Sequence, residues 1–258
     1  KKSNCQGIYV SSKDTVNVFC IQLLVLLYAD DTVLFATSAS ALQRSLDYFH
    51  VYCQKWKLAV NSVKTKIVIF GSGKCRVNKL TFYYGEDEIE IVDHYNYLGF
   101  NFHKNRKLTF GISALATQAK KCMFLLLKMA RNNHLPLDCT LKAFDLMILP
   151  IMLYGSEFWG HGKLDILETL HTKFLKLASG LRMSTPKYFL YGEFGRCPIS
   201  IYVYKRMISY WYHLNMPLSH GKLSSVMYNF ISSDSSLSDH SYPWLNCVEN
   251  ILNSCGLS

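Results

Sequence analysis

The sequence predicts an α+β fold, and three observations carry that prediction. Strand-like apolar runs separated by short polar turns fill roughly the first hundred residues. Beyond Leu108 the apolar residues instead recur at steps of three and four, the spacing of helices. Half of the 258 residues are apolar and 18% are charged, which is the composition of a folded chain and not of a disordered one.

The elements follow in order. Residues 1–20 are polar and irregular, with Gly7-Ile8-Tyr9-Val10 as a short strand. Ile21 to Tyr28 is almost continuously apolar apart from Gln22, which predicts a strand buried on both faces. Ala29-Asp30-Asp31 interrupts it, and Thr32 to Thr37 forms a second strand-like run, so the two make a hairpin around a polar tip. From Ser38 the period changes: Leu42, Leu46, Phe49, Cys53 and Trp56 mark one face of a helix, with Ser38 or Ser40 as its N-cap. Lys66 to Phe70 reads as a further strand after the polar turn 61–65. Residues 80–102 read as a small antiparallel sheet, with Thr81–Tyr84 and Ile89–Val92 flanking an acidic turn that begins at Gly85.

The second half is helical. Ile112, Leu115, Ala119, Cys122, Leu126 and Met129 share one helix face, and Pro136 and Asp138 open another helix. Gly155 and Gly160 bracket a break, and Leu167, Leu170, Phe174, Leu177 and Leu181 mark a third helix. Pro186 and Gly192–Pro198 are expected as loop, and Ile199–Leu214 as a tyrosine-rich helix. Residues 223–258 read as a polar tail.

Composition narrows the partners. The longest uncharged apolar stretch, Thr15–Ala29, contains Asn17 and Gln22 and is shorter than the ~20 residues of a membrane span, so no membrane partner is expected. Nine scattered cysteines without a Cys-x-x-Cys pair imply reduced thiols in an intracellular protein. The net charge of +10 is uneven: residues 1–103 contribute +2, residues 104–222 contribute +11 and residues 223–258 contribute −3. Such a basic segment suits a polyanion, or else a solvated helical surface rich in lysine.

The aspartates at the hairpin tip carry the chemistry. Alternation along a strand puts Tyr28 and Asp30 on one face and Asp31 on the other. A carboxylate at a rigid tip beside apolar walls is a good ligand for a hard cation. Aspartate is also a favoured turn residue, and the dipeptide by itself reads first as a turn.

The ordered run of motifs reverses that reading. Leu27-Tyr28-Ala29-Asp30-Asp31-Thr32-Val33-Leu34-Phe35-Ala36 resembles the palm hairpin of reverse transcriptases from retrotransposons without long terminal repeats, the LINE type. Leu42-Gln43-Arg44-Ser45-Leu46 and Tyr52–Trp56 are similar to that family's palm helix, and Leu58, Val60-Asn61 and Lys64-Thr65-Lys66 to the motif that follows. Tyr97-Leu98-Gly99 resembles the family's hairpin near the primer end. Pro150–Glu157 with Trp159-Gly160, and Gly192–Arg196, resemble the region after the palm.

The resemblance implies the carboxyl-terminal part of a palm in residues 1–103, a basic helical thumb in 104–222 and the start of a downstream region in 223–258. It implies RNA-templated DNA synthesis with Mg2+ (or Mn2+) held by Asp30 directly and by Asp31 more weakly. Tyr28 would lie near the primer terminus. Lys64 or Lys66 would approach the nucleotide phosphates, although each also reads as a surface lysine. RNA template, DNA primer and dNTP are the implied partners, and nucleus and cytoplasm the implied location. Lys120, Lys121, Lys128, Arg131, Lys173, Lys176, Lys205 and Arg206 are the candidate nucleic-acid contacts. Tyr202, Tyr204, Tyr210 and Trp211 are candidates for base stacking, or for core at helical spacing.

Only 29 residues precede Asp30, and the family's earlier catalytic aspartate, nucleotide-binding motif and fingers have no counterpart among them. The missing amino-terminal part of the same polyprotein is therefore an expected partner. The chain alone is expected to bind Mg2+ weakly, to be inactive as a polymerase and to associate through uncovered apolar edges. A nucleic-acid-binding module without catalysis, and a decayed element copy, are the alternative readings.

Overall fold

The computed structural model describes residues 8–11, 20–23, 25–71, 80–216, 222–233 and 242–256. Its contacts divide the chain into two units, one built mainly on residues up to Tyr95, the other on the Asn96–Phe102 turn and the helices from Lys107 onward.

The first unit combines strand pairs with one helix. β1 (Ile8–Ser11) pairs antiparallel with β2 (Cys20–Leu23), and β3 (Val25–Tyr28) with β4 (Asp31–Leu34). Helix α1 (Ala39–Trp56) starts where the Ser38 hydroxyl accepts the Ala41 N–H at 3.2 Å, satisfying one of the free amides of the first turn. It ends at Lys57, whose left-handed backbone returns its N–H to the Cys53 and Gln54 carbonyls. Leu46 of α1 meets Ile67, Phe82 and Ile89 in a small core, where β5 (Phe82–Tyr84) and β6 (Asp87–Ile89) form a hairpin. Fully burying each such side chain contributes about 2 kcal/mol. The amide of Gln43 on α1 donates to the Tyr83 carbonyl and accepts the Tyr83 N–H, both at 2.9 Å, so it occupies the β5 backbone as a neighbouring strand would.

Two expectations change here. Lys66–Phe70 does not form a strand; Ile67 makes a single parallel bridge to Ile91. Trp56, placed on the buried face of α1, is 60% exposed, because the helix ends there and Cys53 is the last residue of that face to be buried.

The second unit is helical around a larger core. The hairpin of β7 (His94–Tyr97) and β8 (Phe100–His103) carries the Leu98-Gly99 turn. α2 (Thr109–Asn132) buries Ile112, Leu115, Ala119, Met123 and Leu126 at three- and four-residue steps. It is the one described helix long and apolar enough to cross a membrane, and these residues place its apolar face in the protein core. α3 (Leu137–Met147), α4 (Leu149–Met152), α5 (Ser156–Trp159) and α6 (Asp165–Ala178) follow, with Phe144, Trp159 and Phe174 fully buried. Then come α7 (Lys187–Phe194), α8 (Ile199–Asn215), α9 (Leu223–Ser233) and α10 (Pro243–Ser254).

Gly155 and Gly160 bracket the short α5, not an open break. A Cβ on Gly160 would lie 2.4 Å from Val203, so glycine here permits the close approach of α5 and α8. The loop expected over Gly192–Pro198 begins only at Gly195, the left-handed C-cap of α7. The stretch expected as a polar tail contains α9 and α10, and Val248 and Leu252 of α10 join the main core. Its scattered serines and asparagines hide that apolar stripe.

Candidate functional site

At the tip of the β3–β4 hairpin, Val25 faces Leu34, Leu26 faces Val33, Leu27 faces Thr32, and Tyr28 faces Asp31. The turn therefore consists of Ala29 and Asp30 alone. Ala29 takes φ 53°, the left-handed conformation that two-residue hairpin turns demand and that glycine usually supplies. Directly opposed residues of an antiparallel pair project to the same face. Asp31, not Asp30, thus shares a face with Tyr28. The alternation argument failed because it carried the strand through Asp30, where the chain is already turning.

The hairpin is also more open than its sequence suggests. Leu27 is 70% and Tyr28 63% exposed, and both aspartates are exposed. β3 and β4 form a two-stranded sheet with no third partner among the described residues. A continuous apolar run shows what a strand can bury, not what covers it.

The donor chemistry of the tip suits magnesium. Two adjacent accessible carboxylates supply the oxygen donors that Mg2+ prefers, and such sites commonly combine one or two carboxylates with substrate phosphates. Among the described residues no third His, Cys, Asp or Glu joins them. Asp30 and Asp31 fit one side of a metal site.

The two candidate phosphate-binding lysines differ. The Lys66 ammonium is 2.7 Å from Glu90 and is engaged there. Lys64 sits in an exposed turn in which its N–H donates to Asn61 Oδ1 at 3.0 Å, and no ion pair holds its ammonium among the described residues. Nothing local to the sequence announces Glu90 as the partner of Lys66, since 24 residues separate them.

In the second unit, Tyr97 leads into Leu98 and Gly99, which take φ 48° and φ 80°. The Gly99 N–H donates to Asn96 Oδ1 at 3.2 Å, and the Tyr154 hydroxyl donates to the Leu98 carbonyl at 2.5 Å. Two motifs that stand 56 residues apart thus meet at one turn.

The candidate nucleic-acid contacts divide by position. Lys120, Lys121, Lys128 and Arg131 are exposed on α2, beside the exposed Phe124 and Leu125. Lys173 of α6 lies 5.6 Å over the Phe124 ring. Lys176 is used structurally, donating to the Met183 carbonyl at 2.7 Å. Arg206 pairs with Glu157 at 3.2 Å, and Lys205 is exposed. Tyr202, Tyr204 and Trp211 pack against the core, and Tyr210 meets Trp244 edge to face, so core packing accounts for all four rings. Arg196 is ion-paired to Asp145 and donates to the Leu141 carbonyl at 3.3 Å, a tie between the α7–α8 connection and α3. Beside it, burial first and the Arg196 charge second hold the His171 imidazole down to about 4, with Asp145 opposing.

Residues 8–102 match the family model described as reverse transcriptase (RNA-dependent DNA polymerase), and that span holds both the carboxylate tip and the helix-backed sheet. Over these residues the chain is similar to reverse transcriptases. It is 28% identical over 178 residues to the RNA-directed DNA polymerase from mobile element jockey of Drosophila melanogaster, a match covering 61% of this chain and 18% of that protein. It is 26% identical over 172 residues to the protein of the same name from Drosophila funebris, covering 62% of this chain. The chain spans 18% of the length of each of these relatives. No solved structure matches it.

Proposed function

We propose that this chain supplies the carboxylate hairpin of the palm and a basic, thumb-like helical region to an enzyme that copies RNA into DNA. The observation that carries the reading is the exposed Asp30-Asp31 tip inside the residues that match the reverse transcriptase family. That family acts on RNA template and DNA primer and generally uses divalent metal ions. Asp30 and Asp31 would hold Mg2+, which when bound neutralises phosphate charge and activates the primer hydroxyl. The exposed Tyr28 ring, on the face of Asp31, would flank the primer terminus. Lys64 would contact phosphate, and Lys66, held by Glu90, would instead brace its own turn. Lys120, Lys121, Lys128 and Arg131 on α2, together with Lys173, would contact the nucleic-acid backbone.

The test is affinity for an RNA–DNA duplex across salt and magnesium. Binding should weaken with salt, by about 0.9 in log–log slope per phosphate contact. Magnesium should strengthen it in the natural chain and not in the Asp30→Asn, Asp31→Asn double variant. A magnesium response that is the same in both would refute the metal role of the tip. The basic face alone supports a second reading, binding without catalysis, and that reading predicts a salt dependence with no magnesium response in either chain.

A further inference from the structure

We propose that Tyr154 is a positioning residue for the Leu98-Gly99 turn, fixing it in the geometry that receives a recessed primer 3′ end. The primer part of this inference rests on the function proposed above and on the resemblance of Tyr97-Leu98-Gly99 to the reverse transcriptase hairpin near the primer end; the positioning part rests on local geometry alone.

Leu98 is a bulky residue in a left-handed conformation, φ 48°, which a side chain with a Cβ disfavours. Such a conformation persists only when its surroundings hold it. Here the holding group is visible. The Tyr154 hydroxyl donates to the Leu98 carbonyl at 2.5 Å, and the Tyr154 ring lies against Gly99 so closely that a Cβ there would stand 3.1 Å from Cε1. On the other side the Asn96 side chain accepts the Gly99 N–H. The turn is thus clasped at its carbonyl, its glycine and its amide.

Tyr154 is itself anchored. The indole N–H of the fully buried Trp159 donates to the Tyr154 carbonyl at 2.8 Å. Phe158, one residue earlier, packs edge to face on Phe100 of the same hairpin, with ring centroids 4.9 Å apart. The Tyr154–Trp159 segment therefore holds both the turn and the strand leaving it. Yet Tyr154 is 46% exposed, so filling the core does not explain a tyrosine here. What its hydroxyl adds is control of one strained carbonyl at an accessible turn.

Tyr154→Phe keeps the ring and removes that bond. Gly99→Ala is the second variant, since it keeps the hydroxyl and pushes the phenol away. Two measurements on the 258-residue chain test the proposal: hydrogen exchange of the Gly99 and Phe100 amides, and affinity for an RNA–DNA duplex with a recessed 3′ end against a blunt one. Both variants should raise exchange at the turn about fivefold, the factor that losing one net hydrogen bond gives, with helix content unchanged. Both should weaken binding to the recessed end by a similar factor and leave the blunt duplex within about twofold. Unchanged exchange in both variants would overturn the positioning role. Faster exchange with the two duplexes affected equally would overturn the primer role of the turn while leaving the clasp in place.

Discussion

The sheet-based first unit and the helical second unit distribute burial very differently. The first is held around one small cluster, Leu46, Ile67, Phe82 and Ile89, and leaves its carboxylate tip and much of its hairpin exposed. The second buries Phe144, Trp159, Phe174 and many aliphatic residues in one continuous core. Metal chemistry is thus proposed for the thinly packed region, and the stability of the chain resides largely in the other. Accessible carboxylates need an open tip, and an open tip adds little apolar burial.

That division can be broken experimentally, starting with the largest effect. Phe144→Ala removes a ring stacked on Phe174 at 4.1 Å and should cost the helical unit about 3–5 kcal/mol in denaturant unfolding. Acid should come next. His171 titrates at about 4 when folded and near 6.5 when unfolded, so the unfolded chain takes up the proton first as pH falls. Stability should be full above pH 6.5 and drop by roughly 3 kcal/mol toward pH 4. His171→Leu should flatten that dependence in urea titrations across the window. Gln43→Ala should be milder, costing the first unit about 1–2 kcal/mol and speeding exchange of the Tyr83 amide, whose partner it removes. The smallest effect on stability should come from the tip: Asp31→Asn should change it by less than about 0.5 kcal/mol, as befits an exposed side chain outside any core. A large loss there would contradict the division.

Much of this architecture was legible in the sequence because its causes are local. Ser38 before a helical stripe gave the α1 cap, and the apolar spacing of Ile112 to Met129 gave α2. The turn at Gly85 was legible too, although the strand expected over Ile89–Val92 is β6 at Asp87–Ile89, so Asp87 and Glu88 lie in the strand and not in the turn. What stayed hidden depends on partners distant in sequence. The apolar hairpin read as doubly buried, while Leu27 and Tyr28 stand open because no third strand pairs with β3 or β4 among the described residues. Lys66 and Lys64 read alike in the sequence, and only the fold brings Glu90 beside Lys66. Tyr154 belongs to the Pro150–Glu157 motif, yet only the folded chain brings its hydroxyl to Leu98. At the tip the two-residue turn reassigned the faces of Tyr28, Asp30 and Asp31.

The most direct measurement is of metal at the tip itself. Manganese titration followed by electron paramagnetic resonance reads the loss of free-ion signal, and needs neither substrate nor turnover. The natural chain should bind one Mn2+ weakly, in competition with Mg2+, and the Asp30→Asn, Asp31→Asn double variant should lose that binding with its unfolding transition unmoved. Equal Mn2+ binding by both chains would contradict the assignment of the hairpin tip as a metal-holding site.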